Sequence, residues 1–141
     1  MTNTNYKTIA SKIKFEGRAF INGKYVDAID GKKFETINPA TGETLCSVAK
    51  CNSKDVDLAV KVSRKAFNSG VWSRTSPEFR KDILLKFAEL LRSHGVENSV
   101  LECIDTGKLI GDCINEVAND APMHFQWYGE LIDKVFGKVG P

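Results

Sequence analysis

The hydrophobic period of this chain changes near residue 50, and the change divides the sequence into two kinds of structure. Before it, short β-prone runs alternate with turn residues; after it, apolar residues recur every three or four positions. A period of two fits a strand and a period of about 3.6 fits a helix. The pattern therefore predicts a short β-meander over residues 19–50, followed by four helical segments.

Turn signals define the predicted strands. Asn22-Gly23 and Asp30-Gly31 tolerate the positive φ that two-residue hairpin turns require. Pro39 and Gly42 form a further turn signal, because proline fixes φ and glycine permits the left-handed region. The strands expected between these signals cover residues 20–21, 24–26, 33–37 and 44–49.

Capping residues set the limits of the first three predicted helices. Asn52 or Ser53 is expected to begin the first, because a short polar side chain accepts the free N–H groups of a first turn. Ser76-Pro77-Glu78 begins the second with a capping hydroxyl, a first-turn proline and an acid. Glycine permits the left-handed conformation that ends many helices. The glycines expected to end the three helices are Gly70, Gly95 and Gly107.

The first two helices are each predicted to carry an apolar stripe, and the stripe of the second helix is predicted to face inward. Each stripe follows the three- and four-residue spacing that places side chains on one side of a helix. The first contains Val56, Ala59, Val60, Ser63, Ala66 and Phe67, and the second contains Phe79, Ile83, Leu84, Phe87, Leu90 and Leu91.

The fourth helical segment, residues 109–136, is long for a chain of 141 residues. At ~1.5 Å per residue it would extend about 42 Å, whereas a compact domain of this size is about 37 Å across. Pro122 lacks a backbone donor and crowds the preceding turn, so a kink or break is expected there. Either the segment breaks at Pro122, or part of its apolar face covers a surface outside this chain.

Composition excludes some partners. The formal net charge of +2 is too small to indicate binding to nucleic acid or to an anionic membrane surface. The chain contains no apolar run of 18 residues and no leader with an apolar centre, so no membrane span is expected and the cytoplasm is the expected compartment. Residues 1–18 are expected to form a mobile N-terminal arm, because few apolar residues anchor them.

The cysteines are expected to be reduced and mostly buried, without a catalytic or zinc-binding role. Their spacing contains no Cys-x-x-Cys pair, and the two histidines do not complete a zinc pattern. Neighbouring residues give none of the four thiols a signature that lowers its pKa. The four are Cys46, Cys51, Cys103 and Cys113.

Five motifs, in this order, resemble those of the aldehyde dehydrogenase superfamily. They are a strand over residues 20–26, an Asn-Pro-Ala-Thr-Gly-Glu turn within 34–43, Trp72 with Arg80 and Leu84-Leu85, Leu-Glu-Cys-Ile-Asp-Thr-Gly-Lys over 101–108, and Trp127-Tyr128. The resemblance is strongest to the branch that oxidises amino-aldehydes and γ-glutamylamino-aldehydes. One position departs from the family pattern, since Leu109 stands where proline usually follows Asp-Thr-Gly-Lys.

The resemblance implies an α/β enzyme that oxidises an aldehyde to its acid with NAD or NADP. In that family a cysteine thiolate attacks the carbonyl, the cofactor accepts a hydride, and a glutamate assists hydrolysis of the thioester. Residues 19–141 would form the first part of a discontinuous Rossmann-like cofactor domain. The resemblance places the nucleophile, the base and the nucleotide loops beyond these residues, so the fragment alone is expected to be inactive, without a bound cofactor.

The resemblance also implies a site for a monovalent cation, K+ or Na+, at Thr36, Ile37 and Asp105. Main-chain carbonyls of a strand and one carboxylate supply the oxygen ligands that a hard cation prefers. The alternative is that Asp105 only accepts backbone hydrogen bonds at the turn after its helix.

A substrate tunnel is implied along the helix after Asp-Thr-Gly-Lys. Glu116 and Asp120 are four residues apart and share a helical face, where an acidic surface would attract an ammonium group. The alternative is an ordinary solvated face. Trp127 and Tyr128 also reach this region by resemblance, although aromatic residues at helical spacing more often belong to a core.

A function of another class remains open at this stage. The chain could be a free-standing helical module that binds a partner or a second copy without catalysis. Its contact surface would be the apolar face of residues 109–136, which needs to be covered.

Overall fold

The structure is a computed structural model and describes residues 4–137. Two β-hairpins are followed by helices. The elements are α1 (Tyr6–Ala10), β1 (Ala19–Ile21), β2 (Lys24–Val26), β3 (Lys33–Ile37), β4 (Thr44–Ala49), α2 (Ser53–Ser69), α3 (Pro77–Ser93), α4 (Gly95–Thr106), α5 (Ile110–Cys113), a π-helical segment (Ile114–Asp120), α6 (Ala121–Leu131) and a 3₁₀ turn (Ile132–Lys134).

The strands form two separate antiparallel hairpins, β1–β2 and β3–β4, so the prediction of one meander is wrong. The first hairpin turns at Asn22 and Gly23, whose φ values of 56° and 73° confirm the predicted turn. Asp30 and Gly31 do not connect paired strands. Their segment folds towards α2, because the Ile29 N–H donates to the buried carboxylate of Asp55 at 2.8 Å.

The limits of α2 agree with the capping prediction. The Asn52 side chain accepts from the Lys54 N–H, and the Asp55 carboxylate accepts from the Asn52 N–H at 2.8 Å, which forms a capping box. Gly70 ends the helix in the left-handed conformation, with φ of 78°. Local sequence therefore specifies both ends of α2.

The core lies between α3, α4 and the chain from α5 to α6. Helices α3 and α6 pack closely, with Ala88 of α3 fully buried and the rings of Phe87 and Phe125 in edge-to-face contact at 4.7 Å. Gly129 of α6 permits this approach, because a Cβ there would lie 3.1 Å from Leu84 Cβ.

Gly95 begins α4 instead of ending α3, which corrects the predicted boundary. A Cβ at Gly95 would lie 2.8 Å from the Cβ of Ala118, so the glycine provides room for α4 to meet the π-helical segment. Its role is one of tertiary packing, which the turn signal in the sequence did not indicate. The predicted end at Gly107 is confirmed, with φ of 75°.

Near Pro122, where a kink or break was expected, the helix continues without a break and changes type. The chain is π-helical from Ile114 to Asp120, and the Ala121 N–H donates to the Glu116 carbonyl five residues earlier. Pro122 is buried near the start of α6. Since proline cannot donate to the preceding turn, the added residue of a π-bulge relieves the conflict while the chain continues.

The predicted N-terminal arm contains a short helix. Helix α1 contacts α4, and further along the Gly17 carbonyl accepts from the Ala49 N–H of β4 at 2.7 Å. A Cβ at Gly17 would collide with the Ser47 carbonyl oxygen, so the chain passes close to β4 here. The mobility of residues 1–18 stays a prediction.

Helix α2 leaves much of its apolar stripe exposed. Val56, Val60 and Phe67 are each more than half exposed. The inward-facing prediction for α3 holds only for Leu84 and Leu91, which are partly buried. The other four residues of its stripe are exposed: Phe79, Ile83, Phe87 and Leu90. Among residues 4–137, the helices are too short or too polar to cross a bilayer.

Candidate functional site

The end of β3 and the end of α4 meet at the candidate cation site. The Thr36 hydroxyl donates to the Asp105 carboxylate, with 3.4 Å between Oγ1 and Oδ1. These residues are 69 positions apart in the chain. The fold thus brings together two of the three residues that the resemblance indicated.

Ile37 lies beside an irregularity in the hairpin. The β3–β4 register shifts between Thr36 and Ile37, so that Thr36 pairs with Cys46 and Ile37 pairs with Thr44. Bulges of this kind redirect the strand locally and are frequent next to functional sites. The position of Ile37 as a ligand stays a prediction.

An open groove of about 720 Å³ contains Thr36 and Asp105. One wall is the hairpin, with Phe34 and Cys46, and another is α4, with Leu101. The segment after α1 forms the third wall. The groove therefore lies where the N-terminal segment, the second hairpin and α4 meet.

The end of α4 is capped without the Asp105 side chain. The Gly107 N–H donates to the Cys103 carbonyl at 3.0 Å, and the Thr106 hydroxyl donates to the Glu102 carbonyl at 2.7 Å. Asp105 instead directs a carboxylate oxygen to Thr36 across the groove. The Asp105 carboxylate is therefore not used to cap α4, and its role as a cation ligand stays a prediction.

The donors at this site are one carboxylate and neutral oxygens. Within the part of the chain from 4 to 137, no three His, Cys, Asp or Glu side chains are close enough to hold a metal ion together. Low ligand charge suits a monovalent ion better than a divalent or transition metal, since those usually recruit several carboxylates, imidazoles or thiolates.

Cys46 is a member of the groove that sequence reasoning did not assign. Burial raises the pKa of its thiol, and the nearby carboxylates of Glu35 and Asp105 raise it further. Its place opposite Thr36 follows from the strand register, which could have been found only by aligning the two strands with their bulge. The thiol is held protonated, so it contributes a neutral sulfur to the groove wall.

Glu116 and Asp120 are both exposed on the π-helical segment, Glu116 in its first turn and Asp120 at its end. Lys108 forms an ion pair with Glu116, with 2.6 Å between Nζ and Oε2, and a second one with Glu102 at 3.4 Å. The hydrogen bonds to Glu116 and then Glu102 raise the pKa of Lys108. The carboxylate that would attract a cationic substrate therefore already has a counter-ion.

The aromatic pair of α6 is not in a core. Trp127 and Tyr128 are each 61% exposed, so the interpretation that they belong to a core is wrong for this chain. Helix α6 contacts α3 through Phe125 and Gly129, which leaves the two larger rings on its other side. Their part in a substrate tunnel stays a prediction.

Cys46 and Cys113 do not have the lowered thiol pKa of an activated nucleophile. All four cysteines are free; Cys113 is buried, Cys46 and Cys103 are partly buried, and Cys51 is exposed. Burial raises the pKa of Cys113, as it does that of Cys46. A reactive thiolate needs a lowered pKa.

The helix that follows β4 has an acid in its first turn, unlike the usual site for the phosphates of a dinucleotide. Such a site is usually a glycine-rich loop between a strand and a free helix N-terminus. The strand–helix connection here, β4 to α2, has Asp55 bound at the helix N-terminus, which would repel a phosphate. The first turn of α3 also carries an acid, Glu78.

Residues 25–141 match the model of the aldehyde dehydrogenase family. The chain belongs to that family. It is 40% identical over 141 residues to the aminoacetaldehyde dehydrogenase of Pseudomonas aeruginosa, covering 100% of this chain and 28% of that protein. It is also 40% identical over 130 residues to the NADP/NAD-dependent aldehyde dehydrogenase PuuC of Escherichia coli, covering 92% of this chain and 26% of the relative.

The fold of the chain also matches a solved aldehyde dehydrogenase structure. The γ-glutamyl-γ-aminobutyraldehyde dehydrogenase of Burkholderia cenocepacia superposes with a TM-score of 0.93 at 42% identity, covering 96% of this chain and 28% of that one. The resemblance to the amino-aldehyde branch is thereby confirmed, and the α/β assignment holds at this level. The chain spans about a quarter of the length of these relatives.

Proposed function

We propose that this chain is the N-terminal part of an NAD(P)-dependent aldehyde dehydrogenase that oxidises an amino-aldehyde to its acid. The observation that carries the proposal is the family match over residues 25–141, together with relatives named for aminoacetaldehyde and γ-glutamyl-γ-aminobutyraldehyde. One relative is named as NADP/NAD-dependent, which supports a nicotinamide cofactor without deciding between the two forms.

The part played by these residues would be to shape the enzyme around chemistry that other residues perform. The bound cofactor would accept a hydride from the substrate. The raised thiol pKa values of Cys46 and Cys113 and the acid-capped helix α2 support the proposal that the 141 residues hold neither the nucleophile nor the cofactor phosphates. The Rossmann-like character of the complete cofactor domain belongs to the same proposal.

An assay of the purified chain tests this assignment. With NAD or NADP and aminoacetaldehyde, we expect no formation of reduced cofactor above a protein-free blank, whereas the enzyme containing the chain should form it. Steady turnover by the chain alone would overturn the proposed division of roles.

Thr36, Ile37 and Asp105 are proposed to hold K+ or Na+. Support comes from the 3.4 Å approach of the Thr36 hydroxyl to Asp105 and from the low charge of the donor set. The expected result is that K+ raises the melting temperature more than an equal concentration of tetramethylammonium, and that Asp105→Asn removes the difference. Equal shifts with both salts in the unmodified protein would contradict the site.

Glu116 and Asp120 are proposed to favour a cationic aldehyde at the entrance of the substrate tunnel. Their exposure supports access, while the ion pair of Glu116 with Lys108 reduces the local negative charge. In the complete enzyme, Glu116→Gln with Asp120→Asn should raise KM for aminoacetaldehyde and leave KM for propanal unchanged. An unchanged KM for both substrates would contradict this proposal.

A second candidate function is self-association through the 109–136 face. It is favoured by the exposure of apolar residues along α6, since a chain in isolation has only further copies of itself to cover them. Sedimentation of the chain should show dimers or larger species that Trp127→Gln weakens; Trp72→Gln, outside this face, is the matched control. A monomer at all concentrations would remove the candidate.

The cytoplasm stays the proposed compartment. The support is the presence of four free cysteines, which agrees with a reducing environment. Fractionation of cells that produce the complete protein tests this placement.

A further inference from the structure

We propose that Pro39 and Gly107 are positioning residues, whose contact sets the distance between β3 and Asp105 and thereby the size of the cation site. The proposal rests on the cation site proposed above. It concerns two residues that do not themselves supply ligands.

The contact joins two turns that are remote in sequence. Pro39 follows β3 by two residues, and Gly107 follows Asp105 by two residues, just beyond the end of α4. A Cβ placed on Gly107 would lie 2.9 Å from Pro39 Cγ and 3.5 Å from Pro39 Cβ. The proline ring therefore rests on the glycine backbone, with no room for a side chain between them.

Both sides of the contact are held in place by local hydrogen bonds. In the turn after β3, the Asn38 N–H donates to the Glu43 carbonyl and the Gly42 N–H donates to the Asn38 carbonyl, each at 2.8 Å. Gly107 is held by its bond to the Cys103 carbonyl. Two locally fixed turns in direct contact transmit a displacement of one to the other.

The displacement expected from a single methyl group is large enough to matter. Ordinary contacts of a Cβ begin near 3.4 Å, so the 2.9 Å approach would require a shift of about 0.5 Å between the turns. Binding sites need their ligands within about 0.5 Å of the productive geometry. The Thr36 hydroxyl and Asp105 are already 3.4 Å apart, so further separation would break their contact.

Gly107→Ala in the chain tests the proposal, with Gly23→Ala as matched control. Both glycines have positive φ, 75° and 73°, so an alanine is strained at either position; at Gly23, however, the Cβ would meet nothing within 4 Å. The observable is the Asp105 side-chain carboxyl ¹³C resonance, identified by its loss in Asp105→Asn. It is followed with and without K+, against tetramethylammonium at equal ionic strength.

Gly107→Ala should move the Asp105 resonance and lower the apparent K+ affinity by about tenfold, equal to about 1.4 kcal/mol. Gly23→Ala should change neither. The double variant Pro39→Ala with Gly107→Ala removes the ring atoms that collide with the new methyl group. Its Asp105 resonance and its K+ affinity should therefore equal those of Pro39→Ala alone. An equal response to Gly23→Ala, or no recovery in the double variant, would overturn the proposal.

Failure of the cation site is distinguishable from failure of the contact. If K+ does not shift the Asp105 resonance of the unmodified chain, the proposed cation site is wrong. The resonance in the variants without K+ still reports whether the Pro39–Gly107 contact positions Asp105. If Gly107→Ala does not fold, recovery of the fold in the double variant supports the contact. A double variant that also stays unfolded, beside a folded Gly23→Ala, refutes it.

Discussion

Helices α2 and α3 are equally long, at 17 residues each, and both are amphipathic, yet their apolar faces are buried to different extents. The inner face of α3 is covered by α6, and Ala88 is fully buried there. The apolar stripe of α2 remains uncovered in the described structure, with Val60 60% exposed. An amphipathic pattern thus shows which side of a helix can be buried, but does not show that a partner covers it.

The two helices are also fixed by different means. Helix α3 is held along its length, by packing and by polar contacts to α6 and the turn beyond it: Lys81 pairs with Asp133, and Arg92 donates to Gln126. Helix α2 is held mainly at its N-terminus, where Asp55 bonds to the Ile29 and Asn52 N–H groups. Substitutions should therefore destabilise the fold at many positions along α3, whereas on α2 they should do so mainly at the N-terminus.

The largest expected effect is that of Ala88→Leu on α3. The added carbons have no space between α3 and α6, so we expect a loss of about 3 kcal/mol in the free energy of unfolding. Ala66→Leu makes the same change on an exposed position of α2 and should alter stability by less than about 0.5 kcal/mol. Urea denaturation measures both; equal losses would erase the contrast between the helices.

Asp55→Ala comes next and tests the anchoring of α2. It leaves two N–H groups without their acceptor in a buried setting, where Asp55 itself is 2% exposed, so we expect a loss of about 2 kcal/mol. Asp57→Ala removes an exposed acid from the same helix and is the control. If both variants unfold at the same urea concentration, the N-terminal anchor is unimportant.

Asp133→Asn should remove a smaller, pH-dependent contribution to the free energy of unfolding. Hydrogen bonds from Lys81 and then Lys134 lower the pKa of Asp133 from 3.8 to about 2. A lowered folded-state pKa stabilises the fold above about pH 4, and this contribution is lost as the pH falls towards 2. Acid unfolding of the variant should thus be less steep across that interval.

Glu16→Gln provides a local comparison for the same measurement. Arg18 lowers the pKa of Glu16 from 4.5 to about 2, but the partners are two residues apart and can meet in the unfolded chain as well. Its effect on acid unfolding should be weaker than that of Asp133→Asn. The reverse order would show that the α3 contacts contribute less than proposed.

The smallest expected effect is that of Val60→Gln on the uncovered stripe of α2. Because the side chain is already solvated, the free energy of unfolding should change by less than about 0.5 kcal/mol. Val100→Gln, at a position 3% exposed on α4, should cost several times more. Thermal melts of the two variants compare these effects. A large loss of stability in Val60→Gln would mean that the stripe of α2 is covered in solution.

Local sequence signals predicted helix and strand boundaries correctly where the interactions that set those boundaries lie within a few residues. Asn52, Ser76 and Gly107 were correctly placed at helix ends, because capping involves hydrogen bonds within one turn. Gly95 was misplaced for the opposite reason: its role depends on Ala118, which is 23 residues away. The family resemblance supplied the cation-site residues, which no periodicity or spacing indicated.

By itself, the sequence determined the presence of α2, α3 and α4, the helix ends at Asn52, Ser76 and Gly107, the Asn22-Gly23 turn and membership of the aldehyde dehydrogenase family. The tertiary structure decided that the strands form two hairpins, that the stripe of α2 is exposed, and that Thr36 approaches Asp105 beside the Pro39–Gly107 contact. The physical reason is range. Backbone hydrogen bonds and caps act within a few residues, whereas burial and the meeting of two turns depend on atoms far apart in the chain.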